Sequence, residues 1–293
     1  MAVKSEAPLL EKPAGHVPVT LLRPASSWMP LNLSQLWAYR ELIYFLTWRD
    51  VKVRYKQAVL GLGWAILQPI LSMVIFTVIF NRFLGVKPDN GISPELYPIF
   101  TFAALLPWQF FQGALQRSSV SLVGNANLLT KIYFPRLIIP ISAVGAGLVD
   151  FFFAFLVLGG LMVFYRLPVT ANLLWLPLFL LLALAAALAV GLWLSALNVQ
   201  YRDIQHMVPF LLQAWMYASP VVYSVDVISA GPIWRALYAL NPMVGVIQGF
   251  RWALLGGSPP VLSMLISAGV VIILLISGLF YFRHMERTFA DTI

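Results

Sequence analysis

One acidic side chain, Asp150, lies deep inside a long apolar run, GAGLVDFFFAFL. An ionisable residue within a membrane span is costly, and it usually marks a proton or ion pathway or a packed polar contact. A proton relay would need a second buried carboxylate or a histidine, and His16, His206 and His284 are scattered elsewhere. We therefore expect Asp150 to be a buried polar residue, bonded to Ser, Thr or backbone of a neighbouring span or across a dimer. A proton-coupled carrier that uses Asp150 is the alternative.

Motifs for catalysis and nucleotide binding are missing from the sequence. It contains no G-x-x-x-x-G-K-[ST], so this chain cannot cradle ATP phosphates as a P-loop does. It also lacks a paired acidic motif, and Asp89 and Glu95 in the first outer loop are more simply solvated. We expect no catalytic residue, metal site or cofactor in this chain. A membrane transferase acting on lipid-linked sugars is the alternative from another class.

Basic and aromatic residues share the stretch that precedes the first long apolar run. On a helix with 100° per residue, one narrow arc holds Trp37, Tyr44, Trp48, Val51 and Tyr55. A flank of the same helix holds Arg49, Lys52 and Lys56. An aromatic stripe beside a basic one is typical of a helix lying in the headgroup layer of an anionic leaflet. The pattern predicts an interfacial helix at 33–57.

Composition indicates one membrane domain. The chain is 60% hydrophobic and 10% charged, with a mean hydropathy of +0.84, whereas soluble domains carry about 25% charged residues. Its formal net charge of +8 comes from Lys and Arg at the ends of apolar runs, which indicates membrane topology and anionic lipid, not nucleic acid. We expect a flexible cytoplasmic tail at 1–32, a transmembrane domain at 33–285 and a cytoplasmic C-terminus at 286–293.

Apolar runs predict an all-α fold with six spans. The candidate spans are 61–83, 98–117, 137–165, 173–197, 209–223 and 260–282. The fifth is the shortest, because Pro209 opens it and Ser219-Pro220 interrupts its far end. Most Lys and Arg residues fall on one side if the N-terminus is inside, so the positive-inside rule places both termini in the cytoplasm.

The outer segment Ser224–Pro260 is too long for a turn and too apolar to float in water. Glycines punctuate its second half, at Gly245, Gly249 and Gly256. Short helices at membrane depth are tolerated where they pack in protein or line a cavity. We predict a re-entrant helix pair before the last span, with a surface-lying amphipathic pair as the alternative.

The longest polar interruption on the inner side is VGNANLLTKIYFPR, Val123–Arg136. Asn125 and Asn127 are helix-start residues, and Pro135 stops a helix. A short helix held below the membrane could pass force from a soluble partner into the adjoining spans. A plain loop with positive-inside anchors is the alternative.

Aromatic residues gather near the expected ends of spans. They are Trp108, Phe110, Phe111, Trp215, Tyr217, Tyr223, Trp234 and Tyr238. Interfacial belts and core packing account for such residues. A lining for a sugar chain is the sharper hypothesis, because aromatic faces stack on the C–H faces of pyranoses.

Three stretches resemble one family. They are RDVKVRYKQAVLGLGWAILQP from Arg49, LNVQYRDIQHMVPFLLQAWMYASPVVY at Leu197–Tyr223 and NPMVGVIQGFRWALLG at Asn241–Gly256. Together they resemble the membrane subunit of bacterial ABC-2 type polysaccharide exporters, which export O-antigen, teichoic acid and capsule chains. A drug, haem or small-lipid exporter of the same architecture is the alternative within this class.

The resemblance implies a homodimeric pore in the bacterial cytoplasmic membrane, bound to two copies of a separate subunit that holds ATP and Mg²⁺. The substrate would be a lipid-linked polysaccharide. The inner loop would be a coupling helix that docks into the ATP-binding subunit. The expected contacts are Asn127, Leu128, Thr130, Lys131 and Tyr133 of this loop, with Arg49, Lys52, Arg54 and Lys56 of the interfacial helix.

Overall fold

A computed structural model describes residues 33–56, 63–89, 92–225 and 231–289. The regular secondary structure of these ranges is helical and includes no strand, so the predicted all-α class is confirmed. The predicted N-terminal tail at 1–32 lies outside the described residues. The helices are α1 Leu33–Ala38, α2 Arg40–Lys56, α3 Gly63–Phe76, α4 Tyr97–Gly124, α5 Ala126–Lys131, α6 Ile138–Gly145, α7 Gly147–Phe164, α8 Leu176–Gln200, α9 Ile204–Tyr217, α10 Gly231–Tyr238, α11 Pro242–Leu255 and α12 Val261–Met285.

Four helical stretches in the described part of the chain are long and apolar enough to cross a membrane. They are Gly63–Phe83, Ile138–Phe164, Ala171–Gln200 and Val261–Met285. The shortest has 21 residues and spans about 32 Å, which matches a hydrocarbon core of about 30 Å. The first stretch continues α3 through a π-helical segment, and the second joins α6 to α7 at Ala146. These stretches coincide with four of the six predicted spans.

Helix α4 is the centre of the bundle and contacts α3, α6, α7, α8, α9 and α11. It has 28 residues, or about 42 Å, and it contains the predicted span 98–117. Large side chains on it, such as Tyr97, Phe100 and Phe102, have no exposed surface. Its C-terminal half carries Gln112, Gln116 and Arg117, which makes it less apolar than the other four stretches. Protein rather than lipid surrounds most of this helix.

Helix α9 differs from the predicted fifth span at 209–223. It begins at Ile204, keeps Pro209 in its interior and ends at Tyr217. Asn198 Oδ1 accepts a hydrogen bond from the Gln205 backbone N–H at 3.2 Å near the helix start. Pro209 cannot open the helix, because five helical residues precede it. The 14 residues reach about 21 Å, which is shorter than the hydrocarbon core.

Two short helices, α10 and α11, occupy the predicted outer segment. Asn241 caps α11, because its side chain accepts a hydrogen bond from the Met243 N–H. Helix α11 is almost wholly buried against α4, α8 and α12. Its glycines permit this approach, since a Cβ at Gly249 would lie 2.5 Å from ring atoms of Phe179.

The predicted interfacial helix forms α1 and α2, with a break at Tyr39. Trp37, Tyr44 and Trp48 are exposed, as a lipid-facing stripe requires. The predicted arc is wrong at its end, where Val51 is buried and Tyr55 is half-buried. The reason is that α2 packs on α6, so the last turns of α2 lie against the protein.

Candidate functional site

Asp150 in the first turn of α7 is paired with two side chains of α2. Arg54 Nη1 donates a hydrogen bond to Oδ2, and the Tyr55 hydroxyl donates to Oδ1. These partners correct the expectation that Ser, Thr or backbone would satisfy Asp150. The carboxylate is also not fully buried, because 32% of its side chain is exposed. Asp150 therefore joins α2 to α7 through an ion pair.

Arg117 of α4 lies beside this pair and was not predicted as a site residue. Its Nη1 is 3.6 Å from Asp150 Oδ2, and its Nε donates to the Ala143 carbonyl at 3.3 Å. Its guanidinium packs against Gly113 of α4 and Gly147 of α7. The sequence signal that could have pointed to Arg117 is Gly113, which lies one helical turn before it near the end of an apolar run.

A cavity of about 330 Å³ adjoins these groups, between the end of α2 and helices α3, α4 and α7. Its polar wall comprises Arg54, Tyr55, Gln68, Gln109, Gln112, Gln116, Arg117 and Asp150. Burial, and then the hydrogen bond to the Asp150 carboxylate, raise the pKa of Tyr55 to about 12. The Tyr55 hydroxyl therefore stays a donor at physiological pH. A polar cavity of this kind within an apolar bundle is a candidate binding site.

The predicted inner loop Val123–Arg136 contains the short helix α5, which ends before the predicted Pro135 stop. Asn125 does not cap it through its side chain. Instead, Asn125 Nδ2 donates to the Ser121 carbonyl at 2.8 Å. The side chains predicted for coupling are largely available to a partner, since Asn127, Thr130, Lys131 and Tyr133 are exposed and Leu128 is half-buried.

Arg49 connects the interfacial helix to this loop. Its Nη2 donates to Asn125 Oδ1 at 2.8 Å and to Asp50 Oδ1 at 2.7 Å. The three basic residues further along α2 do not share one environment. Lys52 and Lys56 are exposed, whereas Arg54 turns to Asp150. Arg49 therefore joins α2 to the junction of α4 and α5.

The aromatic residues proposed to line a sugar path divide into two groups. Trp108 and Phe111 have no exposed surface and pack with ring centroids 5.6 Å apart. A lining role is therefore wrong for these two, because α8, α9 and α11 cover α4. Phe110 is 4% exposed, borders the cavity and packs edge-on against Phe151. These three belong to the core of the chain.

The other five aromatic residues gather around α9, α10 and the start of α11. The hydroxyl oxygens of Tyr223 and Tyr238 are 2.7 Å apart, and Trp215 Nε1 donates to Asn241 Oδ1 at 2.9 Å. Tyr217 and Trp234 are exposed. The structure therefore brings Tyr223 and Tyr238 together. Asn241 connects Trp215 to them, because its backbone N–H donates to the Tyr238 carbonyl at 3.1 Å.

Arg251 of α11 is a buried cation within the segment predicted as outer, Ser224–Pro260. It is 3% exposed and donates to the carbonyls of Val221 at 2.9 Å and Tyr223 at 3.1 Å. Its Nε lies 3.4 Å from the Phe100 carbonyl, and its guanidinium carbon lies 3.5 Å from the Phe100 ring centroid. Arg251 thus connects the segment after α9 to α4.

The apolar helices and the charge cluster between them define a multi-pass membrane protein. Among the described residues, no group of three His, Cys, Asp or Glu side chains could hold a metal ion. Residues 41–255 match the family model described as ABC-2 type transporter. The chain belongs to the ABC-2 type transporter family. Membership makes it a transporter permease and implies a partner that binds ATP.

Relatives cover most of the chain. It is 31% identical over 266 residues to the O-antigen export system permease protein RfbA of Myxococcus xanthus, covering 88% of this chain and 98% of the relative. It is 29% identical to a protein of the same name from Klebsiella pneumoniae, covering 90% and 98%. It is 25% identical over 216 residues to the polysialic acid transport protein KpsM of Escherichia coli, covering 71% and 79%.

Proposed function

We propose that this chain is the transmembrane subunit of an ABC transporter that exports a lipid-linked polysaccharide across the bacterial cytoplasmic membrane. ATP hydrolysis in a separate subunit drives the export. The observation that carries the proposal is similarity along 98% of the length of two proteins named as O-antigen export permeases. The likeness to a polysialic acid transport protein supports the same substrate class.

The proposed topology has six spans. Helix α4 is the second, and α9 together with the turns that follow it as far as residue 223 is the fifth. Helix α4 is long enough to cross the membrane, and its polar residues Gln112, Gln116 and Arg117 line the cavity. Helices α10 and α11 form a re-entrant pair, which the burial of α11 among α4, α8 and α12 supports. The transmembrane domain is 33–285, and its flanks at 1–32 and 286–293 both lie in the cytoplasm.

Two copies of the chain form the pore and bind two ATP-binding subunits. Aromatic side chains fill the core around α4. A path wide enough for a glycan therefore fits better between two copies than within one. The aromatic residues that remain candidates for its lining are Trp215, Tyr217, Tyr223, Trp234 and Tyr238.

Coupling runs from α5 to α2. Asn127, Thr130, Lys131 and Tyr133 dock into the ATP-binding subunit, with Leu128 beside them and with Lys52 and Lys56 from α2. When ATP binding displaces α5, Arg49 transmits the movement through its hydrogen bond to Asn125. Arg54 then passes the movement from α2 to α7, because it pairs with Asp150 at the start of α7. The interfacial helix and the spans then move together.

The test is a pull-down of the tagged full chain from native membranes in mild detergent, followed by an ATPase assay. We expect a stoichiometric P-loop subunit whose ATPase activity falls several-fold with Lys131→Glu. Lys87→Glu is the matched control, because Lys87 is exposed at the opposite end of the bundle. A chain that purifies without a nucleotide-binding partner would overturn the proposal in favour of a carrier or a transferase.

A further inference from the structure

Asp150 cannot neutralise both arginines that border the cavity. Arg54 and Tyr55 already donate to its two oxygens. Arg117 Nη1 remains 3.6 Å away, beyond the usual length of a hydrogen bond. Arginine stays protonated in proteins. The lining residues of the cavity therefore carry two guanidinium groups against one carboxylate.

The packing around Arg117 fixes its guanidinium at the cavity wall. A Cβ atom at Gly113 would lie 2.9 Å from Arg117 Nη1, and a Cβ at Gly147 would collide with Nη2. Glycines on two helices thus leave the room that this group occupies. The hydrogen bond from Nε to the Ala143 carbonyl sets its orientation. A group held in this way loses little entropy when a ligand binds.

The rest of the wall suits an anion with a polar and an apolar part. Amide groups come from Gln68, Gln109, Gln112 and Gln116, and apolar surface comes from Trp64, Pro69 and Leu106. The volume of about 330 Å³ falls within the range of about 300–1,000 Å³ that small-molecule sites occupy. The position beside the interfacial helix α2 gives an amphiphile access from the headgroup layer.

We propose that this cavity binds the phosphate group of an amphiphile between Arg117 and Arg54. Guanidinium groups match phosphate oxygens with paired hydrogen bonds. Asp150 keeps the two like charges close together when the cavity holds no anion, because it offsets their repulsion. An anionic membrane lipid and a lipid-linked substrate both carry such a group. The substrate as the source rests on the proposed function.

The test is a binding measurement on the full chain, with the partner that copurifies, in nanodiscs of zwitterionic lipid. The probes are a polyprenyl diphosphate, phosphatidylglycerol and the uncharged polyprenol. We expect Arg117→Gln to weaken binding of a phosphate probe at least tenfold and to leave polyprenol binding unchanged. Arg202→Gln is the control, because Arg202 is exposed and does not line the cavity.

The outcomes separate the two sources. If Arg117→Gln loses affinity only for the polyprenyl diphosphate, the phosphate group that binds is that of the lipid-linked substrate. If it loses affinity for phosphatidylglycerol equally, the cavity binds a membrane lipid. If Arg117→Gln leaves both affinities unchanged, the proposal is wrong. If that variant does not assemble, Gly147→Ala decides by the same criterion, because its Cβ would overlap Arg117 Nη2 and so displaces the guanidinium without removing it. The assay uses neither glycan nor ATP, so this site and the proposed function can fail separately.

Discussion

Replacing Arg251 with methionine should destabilise the protein more than any exposed arginine substitution. The side chain is 3% exposed, and three backbone carbonyls accept from it. Methionine fills similar volume but leaves those carbonyls without that donor. A buried polar group that loses its partner costs about 1–3 kcal/mol. The Phe100 contact adds about 1–2 kcal/mol.

The expected total is about 3 kcal/mol, since the freed carbonyls can partly relax or find water. At about 2–4 °C per kcal/mol for a chain of this size, the melting temperature should fall by about 6–12 °C. The assay is thermal unfolding of the purified chain in one detergent, followed by tryptophan fluorescence. Arg251→Lys should have an intermediate melting temperature, because one ammonium group cannot reproduce the planar set of donors of a guanidinium.

The matched control is Arg202→Met, which changes an exposed residue and should shift the melting temperature by less than about 1 °C. The reasoning would be refuted if Arg251→Met melted together with this control. That result would mean that the three carbonyls do not depend on the guanidinium.

Three further changes test other parts of the account. Asp150→Asn removes the anion between two arginines, so amide hydrogen exchange in α2 should rise several-fold. ATP-driven export should weaken but not vanish. Complete loss of export would favour a proton-coupled carrier. Lys131→Glu should lower copurification of the ATP-binding subunit, while Lys87→Glu should not; equal losses would show that α5 is not the docking site. Gly249→Ala places a Cβ 2.5 Å from an aromatic ring of α8 and should lower the free energy of unfolding by about 1–3 kcal/mol. The control Gly160→Ala, whose Cβ meets no atom within 4 Å, should be nearly neutral. Equal melting temperatures for the two variants would contradict the close packing of α11.

The sequence predicted the spans well where hydropathy alone decides them. The runs at 61–83 and 260–282 are apolar over most of their length, so hydropathy suffices to predict them. Helix α9 was harder to bound, because Pro209 is a local breaker signal that the helix tolerates in its interior. The hydrogen bond from the Gln205 N–H to Asn198 near its start depends on how the chain turns between α8 and α9.

The pairing of charges could not be read from the sequence. Arg54 and Asp150 lie 96 positions apart, and a helical wheel shows only which residues share a face of one helix. The helical wheel placed Val51 and Tyr55 with the lipid-facing aromatics. In the structure Val51 is buried on a helix that packs against α6, and Tyr55 donates a hydrogen bond to Asp150. The prediction that Trp108 lines a sugar path failed for a similar reason, because its burial depends on helices from later in the chain that pack on α4.

The most direct test of export is to delete the gene in the source bacterium and follow the lipid-linked polysaccharide by fractionation. The account predicts that polysaccharide disappears from the cell surface and accumulates on the cytoplasmic side, and that the wild-type chain restores export only when its partner can hydrolyse ATP. Normal surface polysaccharide in the deletion strain would contradict the account and point to a drug, haem or small-lipid substrate.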